Sequence, residues 1–130
     1  MNKMSLAILV FVAIVVVFAS YALFTLYDYY KPRTFYDNGV SDEEYVAITN
    51  QTLEAQKFLE KYPNAVIQVD RSGSLAVDYR VNNIPTQEYL RLRIFIDWRK
   101  NKPDDMFVDN SGTYIREHIV EYLETVDFPN

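Results

Sequence analysis

Cysteine is absent from the 130 residues of this chain, and histidine occurs only once, as His118. The lack of cysteine excludes disulfides, thiol nucleophiles and thiolate metal ligands. A single imidazole also excludes metal sites built from several histidines and catalytic dyads that need two of them. The residues on which many redox and metal centres depend are therefore missing.

An excess of positive charge is missing as well, because 13 Lys and Arg side chains stand against 18 Asp and Glu, for a formal net charge of −5. Nucleic acids are bound mainly through phosphate contacts, which require a basic surface. Lys3 precedes an apolar N-terminal run, so the remainder of the chain is more acidic than the whole. We therefore expect no nucleic-acid partner.

Charged side chains are also absent from one long stretch, Leu6 to Leu26, in which fourteen residues are Leu, Ile, Val or Phe. At ~1.5 Å per residue, about 21 helical residues reach ~31 Å, the thickness of a hydrocarbon core. The fourteen large apolar side chains favour insertion by roughly −4 to −8 kcal/mol. The sequence predicts a tail over residues 1–5 and a transmembrane helix over residues 6–27, with the lipid bilayer as its partner. Where this helix leaves the lipid, a cluster of tyrosines resembles an interfacial aromatic belt: Tyr21, Tyr27, Tyr29 and Tyr30.

Two other interpretations of the apolar run are open. A cleaved signal peptide would use the small-x-small pattern of residues 20–22, but apolar residues resume at Leu23 and Phe24, which favours an anchor. A class III pilin leader would need Gly or Ala followed by Glu or Gln at its cleavage point, and residues 4–6 are Met-Ser-Leu.

The orientation of the anchor follows weakly from charge, because Lys3 on one side is nearly balanced by Lys31 and Arg33 on the other. A very short tail before a signal-anchor usually stays in the cytoplasm. We therefore expect a single-pass protein of the cell membrane whose C-terminal domain is extracytoplasmic. The triplet Asn50-Gln51-Thr52 fits a glycosylation sequon that would be usable there.

Residues 28–40 are interpreted as a juxtamembrane linker, with Pro32 ending the membrane helix, and residues 41–130 as a soluble domain. Ser41 and Glu44 fit a capping box. Apolar residues at three- and four-residue steps then predict one continuous helix up to Tyr62. Its buried face is expected to hold Tyr45, Ile48, Thr52, Ala55, Leu59 and Tyr62.

The apolar period then changes to two, which predicts a hairpin over residues 65–81 with a turn at 70–73. A strand over residues 90–98, with Trp98 on its apolar face, a turn at 100–104 and a short strand at 106–108 follow. A final helix is predicted to open at residues 110–113 and to bury Ile115, Ile119, Tyr122, Leu123 and Val126. The predicted fold is α+β, an antiparallel meander of three or four strands flanked by two helices that cover one face.

The opposite face of that sheet is predicted to be polar and to suit water or a polar partner; it carries Gln68, Asp78, Arg80, Arg91, Arg93 and Asp97. Arg80, Arg91 and Arg93 form a possible interaction face for an anionic group. The interpretation that the sequence favours is a charge ladder, in which Asp78 and Asp97 pair with these arginines across strands.

Other candidate chemistry is sparse. Asp104, Asp105 and Asp109 supply oxygens for Ca²⁺ but lack the spacing and glycine of an EF-hand loop, so a solvated turn is favoured. His118 lies between two glutamates with no nucleophile in a recognisable arrangement, which favours a surface residue. We expect no catalytic residue, no cofactor, no metal and no small-molecule substrate. Tyr114, like Tyr36, is a candidate for a contact surface.

Residues 58–65 read Phe-Leu-Glu-Lys-Tyr-Pro-Asn-Ala, and the two predicted hairpin strands follow at 66–70 and 75–81. Together with the segment 106–112, which is similar to the family's closing strand, they make residues 56–112 resemble a PepSY-type domain. Asn64 stands where glycine is usual in that family, and the basic strand around Arg91 departs from its pattern. The resemblance implies a non-catalytic module of the kind found near membranes and in peptidase propeptides, where some members are thought to restrain proteases.

The sequence thus predicts a non-enzymatic single-pass membrane protein. Its soluble domain is expected to bind protein as an accessory or structural subunit of a membrane or cell-surface complex. The alternative from the resemblance is a PepSY-like membrane-anchored regulator or inhibitor of a protease. A membrane-tethered enzyme is a third possibility that no constellation of groups supports.

Overall fold

The computed structural model describes residues 2–30 and 39–129, and the chain divides into two compact units, Met1–Pro32 and Arg33–Asn130. Helix α1 of the first unit spans Lys3–Tyr30. Its segment Lys3–Tyr27 is long and apolar enough to cross a membrane. The predicted span of residues 6–27 lies inside this helix. By length and composition, α1 fits a membrane span or a signal anchor.

The tyrosines predicted for the membrane interface lie near the C-terminal end of α1. Tyr21, Tyr27 and Tyr29 expose most of their side-chain surface. The side chain of Tyr30 lies outside the described residues, as do the predicted helix end at Pro32 and the cations Lys31 and Arg33.

The second unit is an α+β domain, which confirms the predicted fold class. Its helices are α2 (Asp42–Thr49), α3 (Leu53–Lys61) and α4 (Ile119–Thr125). Its strands are β1 (Val66–Asp70), β2 (Ala76–Asn83), β3 (Glu88–Asp97), β4 (Lys102–Asn110) and β5 (Thr113–Ile115). The five strands form one antiparallel sheet in the order β1-β2-β3-β4-β5, so neighbours in sequence are neighbours in space.

Helix α2 begins as predicted, because the Ser41 Oγ accepts a hydrogen bond from the Glu44 N–H at 3.2 Å. The prediction of one continuous helix up to Tyr62 is wrong, since α2 ends at Thr49 and α3 begins only at Leu53. The Thr52 hydroxyl causes the break: it accepts from the Ala55 N–H at 3.2 Å and donates to the Thr49 carbonyl at 2.7 Å. A threonine that caps a new helix competes with continuation of the old one.

The hydrophobic core lies between the three short helices and one face of the sheet. Strand alternation supplies most of it, as the period of two predicts; the fully or nearly fully buried strand residues are Val77, Tyr79, Val81, Leu90, Leu92, Ile94, Ile96 and Val108. The helices and the C-terminal segment add Tyr45, Ala55, Phe58, Ile119, Leu123 and Phe128. The buried hydroxyl of Tyr79 lies 2.6 Å from the Thr49 Oγ and donates to the Asn50 Oδ1 at 2.6 Å. The buried hydroxyl of Tyr79 therefore has hydrogen-bond partners.

The turn between β3 and β4 differs from the prediction in two respects. Strand β3 ends at Asp97, and the half-exposed Trp98 lies in the turn rather than on the apolar face. The Asp97 carboxylate accepts from the Arg99 N–H at 2.9 Å and its carbonyl accepts from the Asn101 N–H at 2.8 Å, which closes the turn early. Strand β4 then runs for nine residues from Lys102, instead of the short strand predicted at 106–108.

The predicted opening of the last helix at residues 110–113 is also wrong. Ser111 and Gly112 form a hairpin turn with positive φ angles of 50° and 98°, and the chain returns as β5. The Asp109 Oδ1 accepts from the Gly112 N–H at 2.9 Å and stabilises this turn. Ile115 therefore packs on the core from a strand, while α4 begins only at Ile119.

Lys61 links α3 to the C-terminal end of α4. The Lys61 ammonium donates to the Leu123 carbonyl at 3.1 Å and to the Val126 carbonyl. The final carbonyls of a helix lack intrahelical partners and carry the negative end of its dipole, so a cation there is favourable. This contact holds the C-terminal end of α4 against α3.

Candidate interaction surface

The face of the sheet away from the core carries charged and aromatic side chains from every strand, and we call it the outer sheet face. Burial of Leu90, Leu92 and Ile94 on one side of β3 places the intervening residues on the other side. The pairing register then aligns the neighbouring strands with β3. The outer sheet face consists of Gln68, Asp70, Asp78, Arg80, Tyr89, Arg91, Arg93, Phe95, Phe107, Asp109 and Tyr114.

Two of the predicted arginines occupy the centre of this face and are held by carboxylates. The Arg93 Nη2 lies 2.7 Å from the Asp70 Oδ2, and its Nη1 lies 2.8 Å from the Asp78 Oδ2. The Arg91 Nη2 lies 3.1 Å from the Asp109 Oδ2. The side chains of Arg93 and Arg91 are only 12% and 22% exposed, so both guanidinium groups are largely committed inside the network. The predicted pairing of Asp78 with this row of arginines is confirmed. The same prediction for Asp97 is wrong, because its carboxylate accepts from the Arg99 N–H in the β3–β4 turn.

The carboxylates that share Arg93 have different electrostatic environments. Hydrogen bonds from Arg93 and then from Ser72 lower the pKa of Asp70 from 3.8 to about 2. Burial raises the pKa of Asp78, although the charges of Arg93 and Arg91 oppose this effect. The Asp78 Oδ1 is buried without a hydrogen-bond partner among the described residues, which explains why desolvation dominates there.

Asp109 connects the charge network to the end of the β4–β5 hairpin. Its side chain is only 1% exposed, and its Oδ2 accepts from Arg91 and from the Tyr89 hydroxyl at 3.0 Å. The hydrogen bond to this carboxylate raises the pKa of Tyr89. Its other oxygen accepts from the Gly112 N–H. Both carboxylate oxygens of Asp109 therefore accept hydrogen bonds that position neighbouring groups.

Aromatic rings continue the outer sheet face toward β5. The Phe107 ring centroid lies 5.8 Å from that of Phe95 and 5.4 Å from that of Tyr114. The guanidinium of Arg116 lies 5.3 Å from the Phe107 centroid, and that of Arg91 lies 5.7 Å from it on the same ring. These distances are within the range of cation–π attraction. Tyr114, predicted as a contact residue, is 55% exposed at the end of this band.

Arg80, the third predicted arginine, lies apart from the ion pairs. Its guanidinium carbon is 4.2 Å from the ring centroid of Tyr89, and its Nε donates to the Asn82 Oδ1 at 2.8 Å. Sequence reasoning identified the arginines of this face but missed the aromatic rings of Phe95 and Phe107. The signal was available in part, because Phe95 continues the alternation that contains Arg91 and Arg93.

The remaining sequence candidates lie elsewhere. The carboxylates of Asp104 and Asp105 are exposed, whereas that of Asp109 is buried under Arg91, so the three do not converge. Within residues 2–30 and 39–129, no group of three or more acidic or histidine side chains is placed to hold a metal. His118 is exposed, has a left-handed φ of 52° and lies 3.9 Å from Glu121. Tyr36 is outside the described residues.

Arginine and aromatic residues, which recur on the outer sheet face, are enriched in protein interfaces and their hot spots. Asn50 of the possible sequon lies between α2 and α3, and its side-chain oxygen accepts from Tyr79.

Comparisons with protein-family models, curated proteins and solved structures gave no match to this chain.

Proposed function

We propose that this protein is a non-enzymatic accessory or structural subunit of a membrane or cell-surface complex. In this proposal α1 anchors the chain in the lipid, and the α+β domain binds another protein through its outer sheet face. The observation that carries the proposal is the band in which the guanidinium groups of Arg80, Arg91 and Arg116 lie 4.2–5.7 Å from the ring centroids of Tyr89 and Phe107.

The internal ion pairs suit this face for binding. Arg93 and Arg91 are fixed by Asp70, Asp78 and Asp109, so a partner that covers them meets groups whose charges are already compensated. Side chains that are ordered before association lose less conformational entropy on binding. Around Arg91 and Arg93 the face therefore supplies rigid contact area in which the charges to be desolvated are already paired.

A comparison of exposed aromatic side chains tests this surface. Tyr114 lies on the outer sheet face and is 55% exposed, while Trp98 lies in the β3–β4 turn and is 48% exposed. Crosslinking followed by purification in mild detergent is expected to recover a stoichiometric partner with the unaltered chain and with Trp98→Ala. The double variant Tyr114→Ala and Arg80→Ala is expected to recover at least tenfold less of it. Equal recovery with the double variant would contradict the assignment of the surface.

The proposed membrane anchorage and orientation have their own tests. A bilayer-spanning α1 keeps the full-length chain in vesicles washed with alkaline carbonate, whereas release by the wash would contradict the anchor. Because the chain has no cysteine, Asn2→Cys and Lys100→Cys each carry one thiol, on opposite sides of α1 in sequence. An extracytoplasmic domain predicts that a membrane-impermeant maleimide labels the Lys100→Cys variant in intact cells and leaves the Asn2→Cys variant unlabelled.

The PepSY-like alternative is favoured by one arrangement in the domain. Helix α3, a turn through Pro63 and the β1–β2 hairpin follow one another over the residues that carry the resemblance. A protease regulator would inhibit a membrane or secreted protease at stoichiometric concentration. Stable recovery of a partner without protease activity would favour the accessory subunit instead.

A further inference from the structure

Strand β1 is an edge of the sheet, and within residues 2–30 and 39–129 it lacks the usual protection. Its sequence Val66-Ile67-Gln68-Val69-Asp70 contains no lysine, proline or glycine, and it pairs with β2 in unbroken register over all five residues. Native proteins normally protect such edges with short strands, bulges, proline or inward charge. The other edge of the sheet follows this rule, because β5 has only three residues. The unprotected edge is therefore the exception in this domain.

The backbone of β1 has hydrogen-bonding groups that point away from the sheet. The Ile96 N–H donates to the Leu75 carbonyl at 2.9 Å, so the backbone groups of Leu75 face β3. The direction of the backbone N–H and C=O groups alternates along an antiparallel strand. The β2 residues that pair with Gln68, and with the β1 residues two positions before and after it, therefore direct these groups toward β1. The N–H and C=O groups of Ile67 and Val69 consequently point outward. Among the described residues, no backbone group is paired with them.

An open concavity of about 770 Å³ lies along this edge, where a further strand would run. It borders both faces of β1, since Ile67 and Val69 line it from the helix side and Gln68 from the outer side. Helix α2 forms one wall with Val46 and Glu43. The space is thus bounded by a strand edge and a helix, an arrangement suited to an extended peptide.

The charge of this concavity determines which kind of peptide it favours. Four carboxylates line it, those of Asp42, Glu43, Asp70 and Asp78, and two arginines beside it pair with three of them. Glu43 is exposed and forms no ion pair within the described parts of the chain. The surplus of negative charge favours basic side chains in the occupant and raises their rate of association.

We propose that β1 binds an extended segment of a partner protein in which apolar and basic residues alternate, and that this segment adds as a sixth strand. Its main chain pairs with Ile67 and Val69, and its apolar side chains point to the helix side, where they meet Val46. Its basic side chains point to the outer side, within the negative field of the concavity to which Glu43 contributes. This surface is separate from the Tyr114 end of the outer sheet face, so the inference does not rest on the proposed function.

A second copy of this chain is a less suitable occupant. From residue 39 to residue 130 the domain carries ten Lys and Arg against sixteen Asp and Glu, a net charge of −6. Pairing of β1 with β1 would bring two acidic concavities together. Like charges facing each other across an interface cost free energy, and the proposal therefore commits to a basic partner segment.

The test uses full-length protein in a nonionic detergent and two fluorescein-labelled nine-residue peptides, one alternating lysine with valine and one alternating glutamate with valine. Fluorescence anisotropy is expected to give saturable binding of the lysine peptide, at least tenfold tighter than that of the glutamate peptide. Val69→Pro removes one outward N–H and leaves the β1–β2 hydrogen bonds in place, because proline is tolerated on edge strands. It is expected to weaken binding of the lysine peptide at least tenfold.

Two further variants separate the explanations. Glu43→Lys changes an exposed side chain and is expected to weaken binding of the lysine peptide at least threefold. If Val69→Pro fails to fold, the Glu43→Lys result alone tests the proposal. Tyr114→Ala is expected to leave peptide affinity unchanged, whatever it does to the outer sheet face. The inference is overturned if Glu43→Lys and a folded Val69→Pro both bind the lysine peptide as the unaltered chain does. It is equally overturned if light scattering shows a dimer that Val69→Pro converts to a monomer.

Discussion

Two carboxylates bind the same guanidinium of Arg93, yet their replacement by asparagine is expected to have unequal consequences. Asp70 has a lowered pKa, because Arg93 and Ser72 donate to its ionised form. Asp78 has a raised pKa, because burial of its carboxylate raises the pKa more than the charges of the neighbouring arginines lower it. Asp70→Asn should therefore reduce the free energy of unfolding at pH 7, whereas Asp78→Asn, which removes a poorly solvated charge, should reduce it less.

The magnitude follows from the Asp70 pKa, which lies at about 2 instead of 3.8. At ~1.4 kcal/mol per pH unit this displacement corresponds to between about 2 and 3 kcal/mol. The side chain is 30% exposed, and solvent screening reduces the expected loss for Asp70→Asn to about 1 kcal/mol.

The pH dependence has a defined sign. The folded-state pKa of Asp70 is depressed, so its contribution to stability is complete above about pH 5 and disappears as the pH falls toward 2. The difference between the unaltered chain and Asp70→Asn should shrink over that interval. For Asp78 the folded-state pKa is raised, so the burial cost of its charge is present above that pKa and is relieved as the pH falls through it.

Urea unfolding in a nonionic detergent measures these differences. The only tryptophan, Trp98, is in the α+β domain, so its fluorescence reports that domain and not α1. Titrations at pH 7, pH 4 and pH 2.5 cover the relevant interval. A loss from Asp78→Asn equal to or larger than that from Asp70→Asn at pH 7 would refute the reasoning, as would an Asp70→Asn difference that persists unchanged at pH 2.5.

The same assay tests three further predictions about single side chains. Lys61→Met removes the donor to the last carbonyls of α4 and should cost about 1–2 kcal/mol; Lys57→Met, which loses exposed ion pairs, should cost less than about 0.5 kcal/mol, and equal losses would argue against the cap. Tyr79→Phe should cost about 1–2 kcal/mol, because it leaves the buried hydroxyl of Thr49 without one partner; a neutral result would show that this network contributes nothing to stability. Thr52→Ala should cost about 1 kcal/mol through loss of the α3 N-cap, and Thr52→Ser should restore it; if serine does not, the cap is not the cause.

Local sequence patterns predicted the parts of the fold that depend on near neighbours. The apolar run predicted α1, the Ser41 and Glu44 pair predicted the start of α2, and alternation predicted which face of β3 is buried. These features need no knowledge of distant residues, because each follows from the solubility of a segment or from hydrogen bonds within one turn.

The errors arose where two local solutions competed. Residues 41–62 have a helical apolar pattern throughout, yet the Thr52 hydroxyl caps a second helix inside it. Residues 110–113 resemble a helix start, but β4 already presents a free edge with which β5 pairs after the Gly112 turn. In each case two hydrogen-bonding patterns compete within the same few residues, and the apolar period alone does not distinguish them.

By itself the sequence determined that one segment is long and apolar enough to cross a membrane, that the rest forms an acidic α+β domain, and that arginines lie on its polar face. Only the tertiary structure decided which groups those arginines meet. Arg93 on β3 reaches Asp70 on β1, across the intervening strand, and such a pair exists only once sheet order and register are set. The same long-range contacts place β1 at an edge of the sheet. The physical reason is that side-chain character is encoded residue by residue, whereas partners and exposed edges are properties of the assembled sheet.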